Sequence, residues 1–173
     1  RREMSYYSNL ILLTSFIFFC SVSVTCAQNN RPINKDSLVN LVYPLNEAQQ
    51  AFNRQFQKRF QPHFSKMKIW GSPFFNLMDH VFYQYNLPVQ LKYLAVIESW
   101  LNNRSISWVG AVGTWQFMPE TGRRMGLTIN GFTDERTDDY AATHAAAKYL
   151  IELYNSLGDW PLVIAAYNCG PAR

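Results

Sequence analysis

The chain has 173 residues, of which 48% are hydrophobic and 16% aromatic, so it is long and apolar enough to form one globular domain with a buried core. Charged residues make up 16%, below the usual quarter, which excludes disorder over most of the length. The net charge of +4 comes without a long basic run, so no nucleic-acid partner is predicted, although an anionic polymer remains compatible with it. The tightest basic cluster consists of Arg54, Lys58, Arg59, Lys66 and Lys68.

Residues 1–27 have the pattern of a secretory signal peptide. Arg1 and Arg2 precede an apolar stretch from Leu10 to Val24, and Thr25-Cys26-Ala27 forms an imperfect small-residue cleavage site. The apolar stretch is shorter than the ~20 residues that a membrane-spanning helix needs. A second interpretation makes Cys26 the lipid-bearing first residue of a membrane-anchored lipoprotein. Both interpretations predict export to the periplasm or the cell envelope.

The next segment, residues 28–71, is predicted to be an N-terminal helical extension. Its composition is helical from about Lys35 to His63, with an interruption at Pro44. Ser72 and Pro73 then predict the N-cap and first position of a new helix.

Residues 72–168 carry the strongest helical periodicity, and alternation typical of strands is almost absent. The break at 86–88 separates the first helix of this part from a second one, in which Leu91, Leu94, Ala95, Val96 and Ile97 are expected to face inward. A loop follows over 102–114, and Pro119 begins a short helix that Gly126 ends. Asp138 is expected to cap the longest helix, Gly158 to end it, and 159–161 to open the last helix. The predicted fold class is all-α.

Candidate chemistry concentrates in three motifs. The first is an apolar helix over 93–99 that ends in Glu98 and Ser99, and poor solvation there would raise the pKa of Glu98 toward neutrality, as a general acid requires. The alternative is that Glu98 is an ordinary surface glutamate at a helix end.

The second motif spans 107–119, where close glycine turns allow backbone to approach a ligand, and Trp108, Trp115 and Phe117 offer flat faces for sugar rings. Gln116 could donate and accept hydrogen bonds at once.

The third motif is Ala165-Ala166-Tyr167-Asn168-Cys169-Gly170, which alone would be an ordinary helix end. With residues 1–27 removed, Cys169 is the last cysteine left, and the histidines at 63, 80 and 144 lack ligand spacing. No metal and no cofactor are predicted.

Together, the Glu98-Ser99 pair, the Ser-x-x-Gly-Ala-x-Gly-x-x-Gln-Phe-Met-Pro motif and the Ala-Tyr-Asn-x-Gly motif resemble the catalytic domain of family 1 lytic transglycosylases, which are related to goose-type lysozyme. Trp115–Pro119, Asp134-Glu135-Arg136 and Gly158-Asp159-Trp160 are most similar to the membrane-bound transglycosylase D branch. The resemblance covers residues 72–173 and implies a lysozyme-like helical domain. It also implies that this domain is incomplete at its C-terminus, since family members continue through a further helix and a Glu-Thr-x-x-Tyr-Val segment.

The resemblance further implies a reaction and its residues. Glu98 would be the one catalytic acid/base, cleaving the β-1,4 bond between N-acetylmuramic acid and N-acetylglucosamine in peptidoglycan with formation of 1,6-anhydromuramic acid. The residues expected to bind substrate are Ser99, Ser107, Gln116, Met118, Tyr167 and Asn168. Two alternatives stay open: a goose-type hydrolase that uses the same acid with water, and a truncated, non-catalytic scaffold that binds the cell wall.

Overall fold

The computed structural model describes residues 46–169, which form six α-helices. In chain order these are α1 (Glu47–Trp70), α2 (Ser72–Gln84), α3 (Tyr93–Ser99), α4 (Pro119–Arg124), α5 (Asp139–Leu157) and α6 (Trp160–Cys169). Short 3-10 helices lie at Val89–Lys92 and Glu135–Thr137, and extended pairing within the described range is limited to isolated bridges. The all-α prediction is confirmed for this range. The predicted signal segment and the interruption at Pro44 lie outside the described residues.

Helix α5 runs through the centre of the core. Its N-cap Asp138 accepts a hydrogen bond from the backbone N–H of Ala141 at 2.8 Å, and Gly158 ends the helix with φ of +70°, both as predicted. Thr143 and Ala147 are buried in addition to apolar residues such as Ala142, Ala146 and Leu150, because both α2 and α6 pack against α5. A helix covered on several sides buries more than one stripe.

Three local predictions are wrong: the N-cap of α2, the end of α1 and the burial of Ile97. Gly71, not Ser72, occupies the N-cap of α2 and has no side-chain capping bond, because α1 runs up to Trp70 and leaves a one-residue joint. A Cβ at Gly71 would lie 2.6 Å from the carbonyl oxygen of Met67, so the joint needs glycine. Helix α1 also continues past the predicted end near His63, with Pro62 inside it. Ile97 is 42% exposed, since α3 buries only one side of its last turn.

Helix α1 packs on the rest of the protein through its C-terminal turns. Met67 is buried in the common core, whereas most of the preceding side chains of the helix are exposed or half-buried. Among the described residues, no helix combines the length and apolar character that crossing a membrane would require.

Candidate active site

Glu98 lies in the last turn of α3, on a helix whose inner side is fully packed. Leu94, Ala95 and Val96 are buried in the core, and Glu98 itself is half-buried. Removal from water disfavours the charged form, so burial raises the pKa of the Glu98 carboxyl from 4.5 to about 7. A glutamic acid with this pKa can donate a proton near neutral pH and take one back.

The chain turns sharply straight after the acid. Trp100 and Leu101 both have left-handed backbone conformations, with φ of +57° and +61°, and such conformations are costly for side chains other than glycine. Ser99 stabilises the turn: its buried hydroxyl donates to the carbonyl oxygen of Thr114 at 2.8 Å and accepts from the N–H of Asn102 at 3.2 Å. Ser99 therefore ties the acid-bearing turn to the next loop.

That loop, residues 105–118, is built from tight turns rather than strands. The Ser107 hydroxyl accepts from the N–H of Ala111 at 2.9 Å, and the backbones of the same two residues pair again at 2.8 Å. Gly113 has φ of +87°, and a side chain there would overlap the carbonyl oxygen of Arg136. Gln116, with φ of +50°, donates its amide protons to the carbonyl oxygens of Gly113 at 2.8 Å and Ser105 at 3.2 Å.

The buried guanidinium group of Arg136 is hydrogen-bonded to this loop. Arg136 donates from one terminal nitrogen to the carbonyl oxygens of Gly110 and Phe117, both at 3.1 Å. Its other nitrogens bind the Asp134 carboxylate at 2.9 and 2.7 Å. The ion pair lowers the pKa of Asp134, chiefly through these hydrogen bonds. Two distant points of the loop are thereby fixed to one side chain.

The first residue of α5 provides a second anchor. One carboxylate oxygen of Asp139 accepts from the Thr114 hydroxyl at 2.5 Å, and the other accepts from the side-chain amide of Asn103 at 3.0 Å. Because Ser99 is bonded to the Thr114 carbonyl, Asp139 is connected to the acid-bearing turn through one residue.

Helix α6 brings Tyr167 to the same place. The Tyr167 hydroxyl donates to the carbonyl oxygen of Trp115 at 2.9 Å. Burial raises the pKa of Tyr167 well above its usual range, and the negative charge of Glu98 adds to the effect. Asn168 is half-buried, and its amide donates to the carbonyl oxygen of Ile164 within α6 at 2.8 Å.

The three predicted motifs thus meet, but their aromatic residues have different roles. Trp115 and Phe117 are buried core residues and cannot offer faces to a ligand, which corrects the interpretation given above. The Trp115 indole N–H donates to the Thr143 hydroxyl on α5 at 3.0 Å. Trp108 is 91% exposed at the tip of the loop, and Met118 is exposed just before α4.

Sequence reasoning missed Arg136 and Asp139 as supports of the site. Both residues lie well after the loop in the sequence. Their bonds to it, from Arg136 to Gly110 and Phe117 and from Asp139 to Thr114, exist only in the folded chain. The available signal was the pairing of Asp134 with a basic residue two positions later, directly before a helix N-terminus.

In the part of the chain that the structure describes, no group of three or more histidine, cysteine, aspartate or glutamate side chains comes together in a way that could hold a metal ion. The carboxylates of Asp134 and Asp139 are bonded to Arg136, Thr114 and Asn103.

Comparison with known proteins agrees with this arrangement. Residues 82–173 match the family model of the transglycosylase SLT domain. The chain is 39% identical over 89 residues to the membrane-bound lytic murein transglycosylase D of Escherichia coli, an alignment that covers 51% of this chain and 20% of the relative. It is 35% identical over 89 residues to a putative tributyltin chloride resistance protein of an Alteromonas species, covering 51% of this chain and 43% of the relative. The chain therefore spans only a part of the curated relatives it matches. The family match extends over more than half of it, and the chain belongs to the transglycosylase SLT domain family.

Proposed function

We propose that this chain carries the catalytic domain of a lytic transglycosylase that cleaves peptidoglycan glycan strands. The observation that carries the proposal is Glu98, a carboxyl group whose pKa is raised to about 7 by burial, beside a rigid loop and Tyr167. The name of the Escherichia coli relative, a lytic murein transglycosylase, supports the same substrate.

The proposed reaction uses Glu98 twice. In its neutral form, the acid donates a proton to the glycosidic oxygen between N-acetylmuramic acid and N-acetylglucosamine, and the bond from muramic C1 to that oxygen breaks. The N-acetyl oxygen of the muramic acid stabilises the positive charge that develops at C1. Glu98, now charged, then takes the proton of the muramic C6 hydroxyl. As it does so, the C6 oxygen bonds to C1 and displaces the N-acetyl oxygen, which closes the 1,6-anhydro ring and restores the neutral acid.

One acid is enough for this route. Hydrolysis by retaining or inverting glycosidases uses two carboxyl groups on either side of the bond. Burial alone accounts for the raised pKa of Glu98, and no second carboxylate among the described residues contributes to it. Attack by a hydroxyl on the same sugar has an effective concentration that can reach ~10⁵ M in well-oriented cases, so ring closure can outrun water.

The predicted substrate-binding residues fit this proposal to different degrees. Gln116 uses its amide protons on the loop backbone, so its carbonyl oxygen is the group that would accept from a sugar amide or hydroxyl. Met118 is exposed and would provide apolar contact, and Ser107 would offer its hydroxyl proton. Tyr167 and Asn168 would steady the sugar beside Glu98. The hydroxyl of Ser99 is occupied by backbone groups, which supports a role in positioning the acid.

The proposed location is the cell envelope, with residues 1–27 directing export. Attachment to the membrane through a lipid on Cys26 is the finer form of this proposal. N-terminal sequencing of the protein recovered from the envelope tests both: a start at Gln28 indicates cleavage after Ala27, and an acylated Cys26 indicates a lipoprotein.

Digestion of purified peptidoglycan in ¹⁸O-labelled water tests the reaction itself. The expected products end in 1,6-anhydromuramic acid and carry no label at C1, and chelators leave the rate unchanged. Label at the muramic C1 of most products would identify a goose-type hydrolase. Retention on the cell wall without any product would identify a non-catalytic scaffold.

A further inference from the structure

The net positive charge of the protein is concentrated in one helix. Helix α1 contains five basic residues and one acid, Glu47, a net charge of +4 that equals the formal charge of the whole chain. All the other residues together are therefore neutral. The five basic side chains are exposed, so α1 carries a positive field on an otherwise balanced molecule.

The same helix carries a row of aromatic rings that leads to the candidate active site. Phe52, Phe56 and Phe60 follow one another at four-residue spacing, with ring centroids 6.1 and 4.6 Å apart. Phe60 continues the row to Trp100 at 5.8 Å, and Trp100 lies two residues after Glu98. From Phe52 to Phe64 the helix rises by about 18 Å, so the row is longer than a single sugar contact requires.

Two of the five basic residues, Arg59 and Lys68, lie beside this row, and the other three lie opposite. Lys68 follows Phe64 by four residues, which is the spacing of the row itself, so it continues the row. The Arg59 guanidinium lies 5.7 Å from the centre of the Phe60 ring. The residues on the far side, each two positions and therefore about 200° after a phenylalanine of the row, are Arg54, Lys58 and Lys66.

We propose that the face of α1 formed by Phe52, Phe56, Arg59 and Lys68 is a docking surface for the anionic glycan strand on one side of the bond that is cleaved. The inference rests on the proposed function. Sugar rings have apolar faces that pack on aromatic side chains, and the peptide stems of peptidoglycan carry carboxylates that pair with arginine and lysine. The aromatic row has cations along its edge and continues to Trp100, two positions after Glu98, so it offers partners for both the sugar faces and the carboxylates. Exposed apolar rings of this kind are a common mark of interaction surfaces.

The experiment measures binding of the full chain, carrying Glu98→Gln so that the strand stays intact, to purified insoluble peptidoglycan by co-sedimentation. The double variant R59Q/K68Q removes two charges beside the aromatic row, and R54Q/K58Q removes two charges from the opposite side of the same helix. Both variants lower the net charge equally. We expect R59Q/K68Q to weaken binding roughly fivefold at low salt, the scale of two exposed ion pairs, and the control to change it less than about twofold.

Two further measurements identify the ligand group. The difference between the double variants should close near 1 M salt, where charges are screened beyond ~3 Å. Peptidoglycan whose carboxylates have been converted to amides should bind the parent chain as weakly as ordinary peptidoglycan binds R59Q/K68Q. Equal losses in both double variants, or undiminished binding to amidated peptidoglycan, would overturn the proposal. The proposal would also be overturned if the variant beside the row lost binding to phosphatidylglycerol vesicles or to duplex DNA as strongly as it loses binding to peptidoglycan.

Turnover separates this inference from the proposed function. With Glu98 restored, R59Q/K68Q should raise KM on intact peptidoglycan while kcat stays within about twofold, since the docking face lies outside the reacting atoms. Anhydro products with an unchanged KM would overturn the docking surface and leave the proposed function standing. A parent chain that binds in this way but forms no anhydro product would contradict the proposed function alone.

Discussion

At the scale of single residues, the Glu98 carboxyl is held where its neutral form is favoured. Its pKa is about 7 in the folded protein against an ordinary value of 4.5, because burial removes water from the charged form. The stability that this neutral carboxyl contributes is fully present below about pH 4.5 and is lost as the pH rises through about 7. Ionisation of the acid therefore opposes the fold in the same pH range in which proton donation fails.

Glu98→Gln separates these two effects. The amide keeps the shape but cannot donate a proton, so turnover should fall by at least ~10²-fold. At pH 8 the variant should be more stable than the parent by roughly 1–3 kcal/mol, and at pH 4 the two should be equal, because the glutamic acid is then neutral. Thermal unfolding at both pH values, with a pH–rate profile of the parent falling above about 7, measures this. A destabilised variant at pH 8, or one that retains activity, would contradict the assignment.

Gly110 and Gly113 offer a matched test of how tightly the loop is packed. Both have a left-handed backbone, with φ of +88° and +87°, but a Cβ at Gly110 meets nothing within 4 Å and one at Gly113 overlaps the Arg136 backbone. Gly110→Ala should therefore cost only about 1–2 kcal/mol of backbone strain. Gly113→Ala adds a clash with backbone that cannot yield cheaply, and it should exceed about 4 kcal/mol. Denaturant unfolding of the two variants checks the difference, and similar costs would mean that the loop is free to move.

At the scale of elements, the N-terminus of α5 both caps a helix and organises the site. Asp138 caps α5 through Ala141, and its neighbour Asp139 accepts from Thr114 and Asn103. Adjacent carboxylates thus serve different structures. One acts within its own helix, and the other reaches the loop that follows Glu98.

The substitutions Asp139→Asn and Asp138→Asn test this division. Asparagine has one acceptor oxygen, so at position 139 it loses one of two charge-assisted bonds and should cost about 2 kcal/mol, with a reduced kcat as the loop shifts. At position 138 asparagine caps nearly as well as aspartate, so the change should stay within about 0.5 kcal/mol with normal turnover. Unfolding curves and turnover rates for both variants decide it; equal effects would show that Asp139 has no special influence on the site.

At the scale of the whole molecule, helix order and most boundaries could be predicted because they depend on local signals. Asp138, Gly158 and Pro119 mark helix ends through their own backbone chemistry, and the structure places them there. The cap at Ser72 could not be predicted, since the one-residue joint at Gly71 depends on how α1 and α2 meet.

The candidate site divides in the same way. The motifs indicated Glu98 and the loop, and family resemblance supplied their roles. The burial of Trp115 was not predictable from its small or polar neighbours Gly113, Thr114 and Gln116, because it depends on Thr143 of α5, 28 positions later in the chain. Arg136 was missed for the same reason, since its bonds to Gly110 and Phe117 exist only after folding.

The bond from Tyr167 to the Trp115 carbonyl joins residues 52 positions apart, and the order of synthesis gives that distance a meaning. Glu98 and its loop leave the ribosome first, followed by Arg136 and Asp139, and the last contact waits for the end of α6. Contacts between such distant residues form late, because a long stretch of chain must first be ordered. An emerging chain therefore carries Glu98 and its loop before the bond between Tyr167 and the Trp115 carbonyl can form, so the candidate site is assembled only after α6 has been synthesised.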